Sequence, residues 1–488
     1  MRVLIVYPNM GLEMTMNHGI TSLSGSLKHA GHDTALLHLR TFDPDQAVED
    51  VVKASPDVIG ISLTENHRLQ METLARRLKE RVKIPIFAGG PFPSAYHHWL
   101  EELEALDGLC YGDGDLSFVE LLDCMERGKD HTGTRGFWFR AGGRIIKNPP
   151  YPLLDDLDSL PMPDLEIFGE QTILNYPAFS FSRGCPFKCT YCCAPLYGQE
   201  QTGSTAVRYK SPERAIQEIN TMLAWCNADV LAFDDDTFFK SKTWVRKFTE
   251  LYKSEVRRPF ACNTRPETIN EELIQLLKDA NCVLIAIGIE SGDEEIRTMT
   301  LKRRMKDERI IEAFDIVRRQ GIATSAFNMV GIPGETRERF KKTIELNARI
   351  RPDIIQHTIF YPYRGTELGD LAYKNGYVVR EGYPTYFGRG TLSLPGFSLT
   401  EIEREALMFE YKVCKSFDRR RALKGLARAA GRRYPRAFSR VKGLLSMLNL
   451  RRYGKGISVM GSDSRVSTRP TGGMRESVVS GLTHASGS

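Results

Sequence analysis

Short apolar segments alternate with amphipathic stretches through the first 130 residues of the chain. Two of these stretches, 66–82 and 116–126, have apolar residues every three to four positions, which is the spacing of a helix. Strands that alternate with helices at this interval predict an open, doubly wound α/β domain with a parallel sheet. The predicted strands lie at 3–7, 34–39, 57–63, 84–89 and 106–111.

The predicted strands of this domain end in short polar or glycine-containing turns. Ligands of doubly wound sheets bind outside the carboxyl ends of the strands, and glycine allows the backbone to approach a ligand closely. An ordinary tight turn is the alternative for each of them, but their position on one edge favours a ligand site. The candidate contact residues are Asn9, Ser62, Leu63, Thr64, Gly89, Gly90, Pro91, Gly112 and Asp113.

A second region of alternating strands and helices begins near residue 177. Its predicted strands lie at 178–184, 228–234, 259–265, 282–289, 322–331 and 353–362. Helical spacing separates them at about 211–225, 241–255, 270–280, 305–320 and 335–350. Six successive β/α units predict a parallel barrel or partial barrel, with its site on the carboxyl-end loops.

The remaining segments connect or extend these two units. Gly142 and Gly143 predict the turn of a β-hairpin over 136–150, and the Pro- and Asp-rich segment 151–168 is typical of a linker. Thr400 and Glu403 have the spacing of a capping box that opens a helix to about residue 417. We divide the chain into five regions: an α/β domain (1–135), a hairpin with linker (136–172), a barrel (173–370), a helical basic region (371–455) and a tail (456–488). The tail is rich in Gly, Ser and Thr, and we expect it to be disordered.

The composition is that of a globular protein. Of the 488 residues, 41% are hydrophobic and 26% are charged, and no run of about 18 apolar residues predicts a membrane-spanning helix. The first residues show no cleavage-site pattern of a signal peptide. We therefore expect a cytoplasmic protein whose ten cysteines are thiols or metal ligands rather than disulfides.

Positive charge is concentrated towards the C-terminus. Thirteen Lys and Arg residues and no Asp or Glu lie between Arg419 and Lys455, so the rest of the chain is net acidic although the total is +6. A basic amphipathic helix in this region predicts peripheral contact with the anionic inner face of a membrane. A solvated surface helix is the alternative, and the acidic remainder makes nucleic-acid binding the weaker interpretation.

The strongest chemical signal is the segment 182–195, in which Cys185, Cys189 and Cys192 have the spacing C-x3-C-x2-C. Thiolates on a short loop can ligate three irons of a cubane cluster and leave the fourth iron open. A zinc site with Cys193 or a histidine as fourth ligand is the alternative, but no second Cys or His pair accompanies the motif. Cys193 follows Cys192 directly and has to point elsewhere.

The motif and the six β/α units resemble the radical S-adenosylmethionine (SAM) superfamily. The resemblance also includes 231–239, 262–269, 288–296, 328–336 and 361–368, and so covers essentially all of 177–370. It implies a [4Fe–4S] cluster whose open iron is chelated by SAM. It also implies that one-electron reduction cleaves SAM to methionine and a 5′-deoxyadenosyl radical. The protein then binds, orients and excludes water while the cofactor carries the chemistry.

The resemblance assigns SAM contacts to strand-end residues, and several have a structural alternative. Asp236 suits the methionyl ammonium but could instead cap a helix. Arg265 suits the methionyl carboxylate but could pair with a nearby acid. Glu290 suits the ribose hydroxyls, and Ser291 could cap the following helix. The full set of SAM-contact candidates is Phe187, Tyr191, Asp235, Asp236, Arg265, Glu290, Ser291 and Gly331.

The N-terminal domain resembles the cobalamin-binding domain of the cobalamin-dependent radical SAM class. That class places the corrin face over the barrel mouth. The sequence has no D-x-H-x-x-G motif, so it nominates no histidine as lower axial cobalt ligand. Members of the class without the motif are known, and cobalamin therefore remains an expected cofactor.

These resemblances imply a methyltransferase acting on an unactivated carbon of a small-molecule, lipid or natural-product substrate. One SAM supplies the methyl group through cobalamin and a second supplies the radical. The expected electron donor is flavodoxin or ferredoxin. The alternatives are an oxidative cyclase or rearrangement enzyme of the same class, a radical SAM enzyme with a vestigial cobalamin domain, and a non-catalytic iron–sulfur sensor.

Overall fold

A parallel sheet extended by a hairpin forms the N-terminal part of the protein. The computed structural model describes residues 1–10, 16–196, 207–238, 241–382 and 389–433, without the side chains of 431–433. Within these residues the strand order is β2-β1-β3-β4-β5-β6-β7. The order reverses between β1 and β3, which places the ligand crevice of such a sheet at their carboxyl ends. The strands are β1 Arg2–Pro8, β2 Asp33–Leu39, β3 Val58–Ser62, β4 Ile86–Gly89, β5 Gly108–Cys110, β6 Phe137–Ala141 and β7 Arg144–Lys147.

Helices cover both faces of this sheet, which explains why its central strands are apolar along their whole length. In β1, every residue from Val3 to Val6 is buried. The hairpin of β6 and β7 turns at Gly142 and Gly143 as predicted, and β6 pairs antiparallel with β5. The helices are α1 His18–His29, α2 Pro44–Ala54, α3 Arg68–Arg81, α4 Pro91–Ala95, α5 Trp99–Glu102 and α6 Gly114–Glu126.

Six parallel strands form the second sheet, in the order β15-β14-β13-β12-β11-β8. This arrangement confirms the predicted series of β/α units. The strands are β8 Ala178–Phe179, β11 Leu231–Phe233, β12 Phe260–Thr264, β13 Cys282–Glu290, β14 Ala323–Val330 and β15 Ile354–Ile359, with the short pair β9 Ser182–Arg183 and β10 Arg208–Tyr209 beside them. The helices are α7 Glu170–Asn175, α8 Pro212–Trp225, α9 Lys242–Glu255, α10 Glu271–Asp279, α11 Asp307–Arg319, α12 Arg337–Ile350, α13 Glu367–Lys374, α14 Leu399–Cys414 and α15 Arg419–Arg433.

The prediction of one strand over 178–184 was wrong in part. Only Ala178 and Phe179 pair within the barrel sheet, whereas Ser182 and Arg183 pair antiparallel with β10. The chain leaves the sheet after Phe179 because the backbone N–H of Phe181 is taken by the carboxylate of Asp235 at 3.0 Å. The chain therefore turns earlier than the apolar pattern indicated, towards the loop that carries Cys185, Cys189 and Cys192, which we call the cysteine loop.

The predicted capping box was displaced by two residues. Ser398, not Thr400, caps α14: its Oγ accepts from Glu401 N, and the Glu401 carboxylate accepts from Ser398 N at 2.9 Å. Both residue pairs fit the same S/T-x-x-E pattern, so the sequence alone did not distinguish them. Glu403 instead accepts from Arg380 at 2.8 Å.

One continuous apolar core joins the two parts. It includes Ile20 and Phe118 from the N-terminal domain and Phe179 and Phe233 from the barrel. The two sheets therefore share buried surface. Among the described residues, no helix combines the length and the apolar character needed to cross a membrane.

Candidate active site

The three motif cysteines lie on the loop that follows β9, at the carboxyl ends of the barrel strands. Cys189 is 9% exposed, and Cys185 and Cys192 are partly buried. Cys185 Sγ lies 3.9 Å from Thr237 Oγ1, and Ala194 N donates to Cys192 Sγ at 3.4 Å. Burial raises the pKa of the Cys185 and Cys192 thiols, so a bound metal has to displace their protons.

Two arginines contact Cys189. Arg265 Nη1 donates to Cys189 Sγ at 3.0 Å, and Arg303 Nη1 lies 3.8 Å from the same sulfur. The guanidinium of Arg265 also stacks on the ring of Phe187 at 3.7 Å and pairs with Glu267. The salt bridge that was the alternative for Arg265 is thus present, together with a contact to the cysteine loop.

Arg303 is a site residue that the sequence analysis missed. Its side chain is buried between Tyr191 and Glu290, with Nη1 3.3 Å from Tyr191 Oη and 3.9 Å from Glu290 Oε1. It lies in the segment after a π-helical turn, Ile296–Thr300, away from any strand end. The only available signal was that Arg303 is one of two adjacent arginines beside Met305, which by itself indicates nothing about a site.

Glu290 ends β13 with an unusual backbone. Its φ is 69°, a left-handed conformation that non-glycine residues rarely adopt, and the pairing with β14 shifts register there. Its carboxylate contacts Tyr191 and Arg303, and burial raises its pKa. A strained backbone that carries a largely buried carboxylate, here 14% exposed, is typical of a binding site. Ser291 next to it is fully buried, and its Oγ accepts from Asp293 N in the turn after β13; the next helical turn, Ile296–Thr300, starts after Glu295, so Ser291 does not cap it.

The carboxylates after β11 have different surroundings. Asp235 is 3% exposed and accepts from Phe181 N and Ser182 Oγ, while its Oδ2 has no partner among the described residues. Burial raises the pKa of Asp235 to about 6. Asp236 is exposed at the barrel mouth within electrostatic range of Cys185 and Cys192. Of the three described carboxylates after β11, Asp236 is the exposed one that faces the cysteine loop.

Gly331 shapes the turn after β14. Its φ is 81°, and its N–H donates at 2.8 Å to Glu335 Oε2, which also accepts from Ile332 N. A Cβ on Gly331 would come within 3.0 Å of Ile402 in α14. Glu335 is fully buried and its pKa is raised to about 8 by burial. The Glu335 carboxyl group therefore stabilises the turn after β14, and we do not assign it a contact with the substrate.

An apolar cavity of about 370 Å³ opens between the sheet domain and the barrel. Its interior is lined by side chains from the N-terminal domain such as Ile5, Phe87 and Phe118, and its barrel side by Phe179 and Arg183. Six of the nine predicted turn residues line it: Ser62, Gly89, Gly90, Pro91, Gly112 and Asp113. The cavity therefore reaches from the carboxyl edge of the N-terminal sheet to the strand that precedes the cysteine loop.

The other three predicted turn residues do not line the cavity. Asn9 and Leu63 are buried, with Asn9 N bonded to Leu39 O and Leu63 N to Gly89 O. Thr64 donates to Asn66, in the turn that precedes α3. These side chains shape the strand ends, so they are placed beside the cavity rather than in it.

The residues fit the cofactors that the family resemblance implies. The described residues contain no group of three or more Cys, His, Asp or Glu side chains gathered around one point as for a single metal ion. A cubane cluster does not need such a group, because each thiolate binds a different iron. The unpartnered Asp235 Oδ2 and the strained Glu290 add polar groups for a ligand beside the thiols. Gly60 and Gly89 line the cavity, and a Cβ on either would be in van der Waals contact with Phe118 or Cys110, so a larger side chain there would extend into the cavity.

Comparisons with known proteins agree with this arrangement. The family model of the radical SAM superfamily matches residues 179–346, and that of the B12 binding domain matches residues 14–122. An uncharacterised methyltransferase of Pyrococcus horikoshii is 26% identical, over 69% of this chain and 73% of its own. Anaerobic magnesium-protoporphyrin IX monomethyl ester cyclase of Rubrivivax gelatinosus is 24% identical, over 75% and 69%. Hopanoid C-3 methylase of Methylococcus capsulatus is 26% identical, over 72% and 67%.

A solved structure has the same fold. The radical SAM methyltransferase TsrM of Kitasatospora setae, with cobalamin and a [4Fe–4S] cluster bound, superposes with a TM-score of 0.64 at 17% identity. The match covers 78% of this chain and 76% of TsrM. Together, the two family models and the order of the two sheets show that the chain contains a radical SAM domain and that a B12-binding domain precedes it.

Proposed function

We propose that the protein is a cobalamin-dependent radical SAM methyltransferase acting on a carbon of a small-molecule or lipid substrate. The main support for this proposal is the shared cavity, which is lined by the N-terminal sheet (β1–β7, the B12-type sheet) and by β8, the first barrel strand. A corrinoid at the sheet edge then lies beside the loop that holds the cluster. The methyltransferases among the relatives and TsrM support methyl transfer as the reaction.

The cofactors bring the reactive groups, and the protein orders them. When bound, a reduced [4Fe–4S] cluster with SAM supplies the 5′-deoxyadenosyl radical and cobalamin supplies the methyl group. Cys185, Cys189 and Cys192 hold the cluster, and Arg265 with Arg303 holds positive charge against it. Asp236 attracts an ammonium group at the mouth of the barrel.

The remaining SAM-contact candidates have supporting roles in this proposal. Glu290 offers a buried carboxylate to hydroxyl donors, and Tyr191 and Arg303 keep that carboxylate in place. Phe187 covers the face of the Arg265 guanidinium and excludes water from it. Electrons reach the cluster from a flavodoxin or ferredoxin.

An oxidative cyclase of the same class is the second candidate function. It is favoured by the similarity to the magnesium-protoporphyrin cyclase, which is as extensive as the similarity to the methylase. Both functions need the same cysteine loop. They differ in whether a methyl group from SAM appears in the product.

The experiment that separates them uses SAM with a trideuterated methyl group. The anaerobic enzyme, its reductant and a metabolite and lipid extract from cells that lack the protein are incubated together, and the extract is then analysed by mass spectrometry. Methyl transfer predicts a product heavier by one trideuteromethyl group, which a Cys185→Ala variant does not form. A new product without label, formed with 5′-deoxyadenosine, would contradict methyl transfer and favour the cyclase. No SAM cleavage with an intact cluster would contradict both and favour a sensor.

The basic C-terminal helix supports contact with an anionic membrane. In α15, Leu423 is 64% exposed and Leu426 is 38% exposed, and they lie on one face among Arg419, Arg420 and Lys424. No acidic residue occurs in 419–455, and Glu410 of α14 pairs only with Arg421 and Arg428, which leaves Arg419, Arg420 and Lys424 without an ion pair among the described residues. Apolar side chains flanked by cations are typical of a helix lying on anionic lipid. The protein is expected to sediment with phosphatidylglycerol vesicles but not with phosphatidylcholine vesicles. The Leu423→Glu variant should lose this binding, whereas the control Val379→Glu should keep it. Equal binding to both kinds of vesicle, or to neither, would contradict membrane contact through α15.

A further inference from the structure

A partly buried group of charges joins the cysteine loop to the N-terminal domain. Arg183 donates from Nη1 to Asp115 Oδ2 at 2.6 Å and from Nη2 to Asp115 Oδ1 at 3.1 Å. The same Nη2 donates to Ser22 Oγ in α1 at 2.9 Å. Asp113 lies 3.3 Å from Arg183 Nη1 and accepts from Arg208 Nη1 at 2.8 Å. Two arginines of the barrel half therefore share two carboxylates of the N-terminal domain.

The two arginines stand at the two ends of the cysteine loop. β9 and β10 form a two-residue antiparallel ladder in which Arg183 is directly opposite Arg208. All three motif cysteines lie in the segment between them. Like charges directly opposite each other destabilise a strand pair. Asp113 and Asp115 pair with these two cations and so offset the repulsion within the ladder.

The pair of Arg183 and Asp115 is strong for a contact between domains. Asp115 is 6% exposed and α6 begins beside it, so the carboxylate is fixed on a rigid element. Burial alone disfavours the charged carboxylate, but Arg183 outweighs that effect and holds the pKa of Asp115 below its usual range. A bidentate guanidinium–carboxylate pair fixes orientation as well as distance. Removing Asp115 leaves the partly buried Arg183 without its bidentate partner and with only Asp113, at 3.3 Å, as a carboxylate neighbour.

We propose that Asp113 and Asp115 are positioning residues that close the base of the cysteine loop from the N-terminal domain. Asp113 directly follows Gly112 at the edge of the cavity, so the same strand end borders the B12-type site and holds the cluster loop. The N-terminal domain thereby sets where the cluster stands relative to its own ligand. The inference rests on the proposed role of the three cysteines as cluster ligands.

Hydrogen exchange of the full-length protein tests this directly, followed by mass spectrometry of peptides from 180–196. Asp115→Asn is expected to increase exchange in these peptides by about tenfold or more relative to the wild type, because the ladder loses a neutralising charge. Arg183→Lys keeps the charge but not the two-pronged contact, and is expected to have an intermediate effect. Arg127→Gln breaks an exposed pair with Asp123 in the same domain and serves as the matched control.

The outcomes separate positioning from general stability. If Asp115→Asn lowers the melting temperature but leaves exchange in 180–196 at the level of Arg127→Gln, the proposal is overturned. If Asp115→Asn does not fold, the single variant Asp113→Asn removes the more exposed carboxylate, leaves both cations of the ladder in place and carries the same expectation. Iron retained in the separate variant Cys185→Ala, Cys189→Ala, Cys192→Ala would contradict the ligand assignment, and hence the proposed function, without changing the exchange result.

Discussion

Two buried guanidinium groups meet at one cysteine of the loop. Hydrogen bonds and positive charge near the sulfur ligands of an iron–sulfur cluster stabilise its reduced form. Arg265 is closer to Cys189 Sγ, but Arg303 is the more deeply enclosed, with contacts to Tyr191 and Glu290 as well. Arg303 therefore links the cysteine loop to the strained end of β13.

Arg303→Gln is expected to lower the midpoint potential of the cluster, because one buried positive charge beside Cys189 is lost. The measurement is a redox titration of the reconstituted enzyme followed by electron paramagnetic resonance. Arg304→Gln is the matched control, since Arg304 is the exposed neighbour. Equal potentials in the two variants would show that Arg303 does not act on the cluster.

Glu335→Gln tests a buried carboxyl group through the pH dependence of stability. The pKa of Glu335 is raised to about 8 by burial, from about 4.5 in the unfolded chain. The folded protein therefore binds more protons than the unfolded one between these values, and this group makes stability fall as pH rises from about 4.5 to about 8. The variant keeps an acceptor for Gly331 N and Ile332 N, so its melting temperature is expected to fall less than that of the wild type from pH 6 to pH 8. Parallel curves for the two proteins would contradict the raised pKa.

The sequence predicted the individual strand-end residues better than it predicted their roles. The cysteine spacing is local and needed no knowledge of the fold. Asp235 and Ser291 were expected near SAM, yet their described hydrogen bonds are to neighbouring backbone and hydroxyl groups in turns. Side-chain direction at a strand end depends on which backbone donors remain free, and the sequence does not contain that information.

At the scale of elements, the helix α14 closes the barrel behind the turn of Gly331. Ile402 of this helix covers the glycine, and Phe409 packs against Phe340 of α12. The start of α14 is therefore set by its cap and by this packing together. The apolar period predicted that the helix exists, but two overlapping S/T-x-x-E patterns left its first residue open.

Ser398→Ala is expected to destabilise the protein by about 1 kcal/mol, because the cap satisfies backbone donors at the start of α14. Thr400→Ala is the matched control: Thr400 is exposed inside the first turn, so a change of only a few tenths of a kcal/mol is expected. Thermal or denaturant unfolding of both variants provides the comparison. A larger loss in Thr400→Ala would mean that the cap lies at the position first predicted from the sequence.

Element type was predictable where the apolar pattern was long, and not where it was short. The parallel strands β12 to β15 follow their apolar segments closely. In contrast, the predicted strand 178–184 is divided because a carboxylate from the next unit, Asp235, takes the N–H of Phe181. A contact between residues 54 positions apart has no signature in a local pattern.

At the scale of the whole molecule, the two domains are joined by polar contacts around the barrel mouth. His18 approaches Asp234 at 3.5 Å, Arg183 pairs with Asp115, and Arg364 N donates to Glu65. These contacts and the shared apolar core fix how the B12-type sheet faces the cysteine loop. The sequence predicted both domains and their order, but not this orientation, because the residues involved are far apart in the chain.

Gly365→Ala tests how closely the domains approach. A Cβ at Gly365 would lie 1.9 Å from Ala95 O, so the substitution forces the barrel and the N-terminal domain apart. Gly128→Ala is the control, because Gly128 also has a positive φ but nothing within 4 Å of its Cβ position. Gly365→Ala is expected to lower the melting temperature by several degrees more than the control. Equal effects would mean that only the backbone conformation matters at Gly365.

We infer that one chain holds a cluster and a corrinoid at separate but adjacent sites, and counting the bound metals distinguishes this arrangement from a cluster alone. The anaerobically reconstituted protein is mixed with hydroxocobalamin and desalted, and iron and cobalt are then counted. We expect about four irons and about one cobalt per chain in the wild type. The variant with Cys185, Cys189 and Cys192 changed to Ala should lose only the iron, and Gly60→Leu, which fills the cavity, should lose only the cobalt. Iron without cobalt in the wild type would contradict the account and leave the N-terminal domain without its proposed ligand.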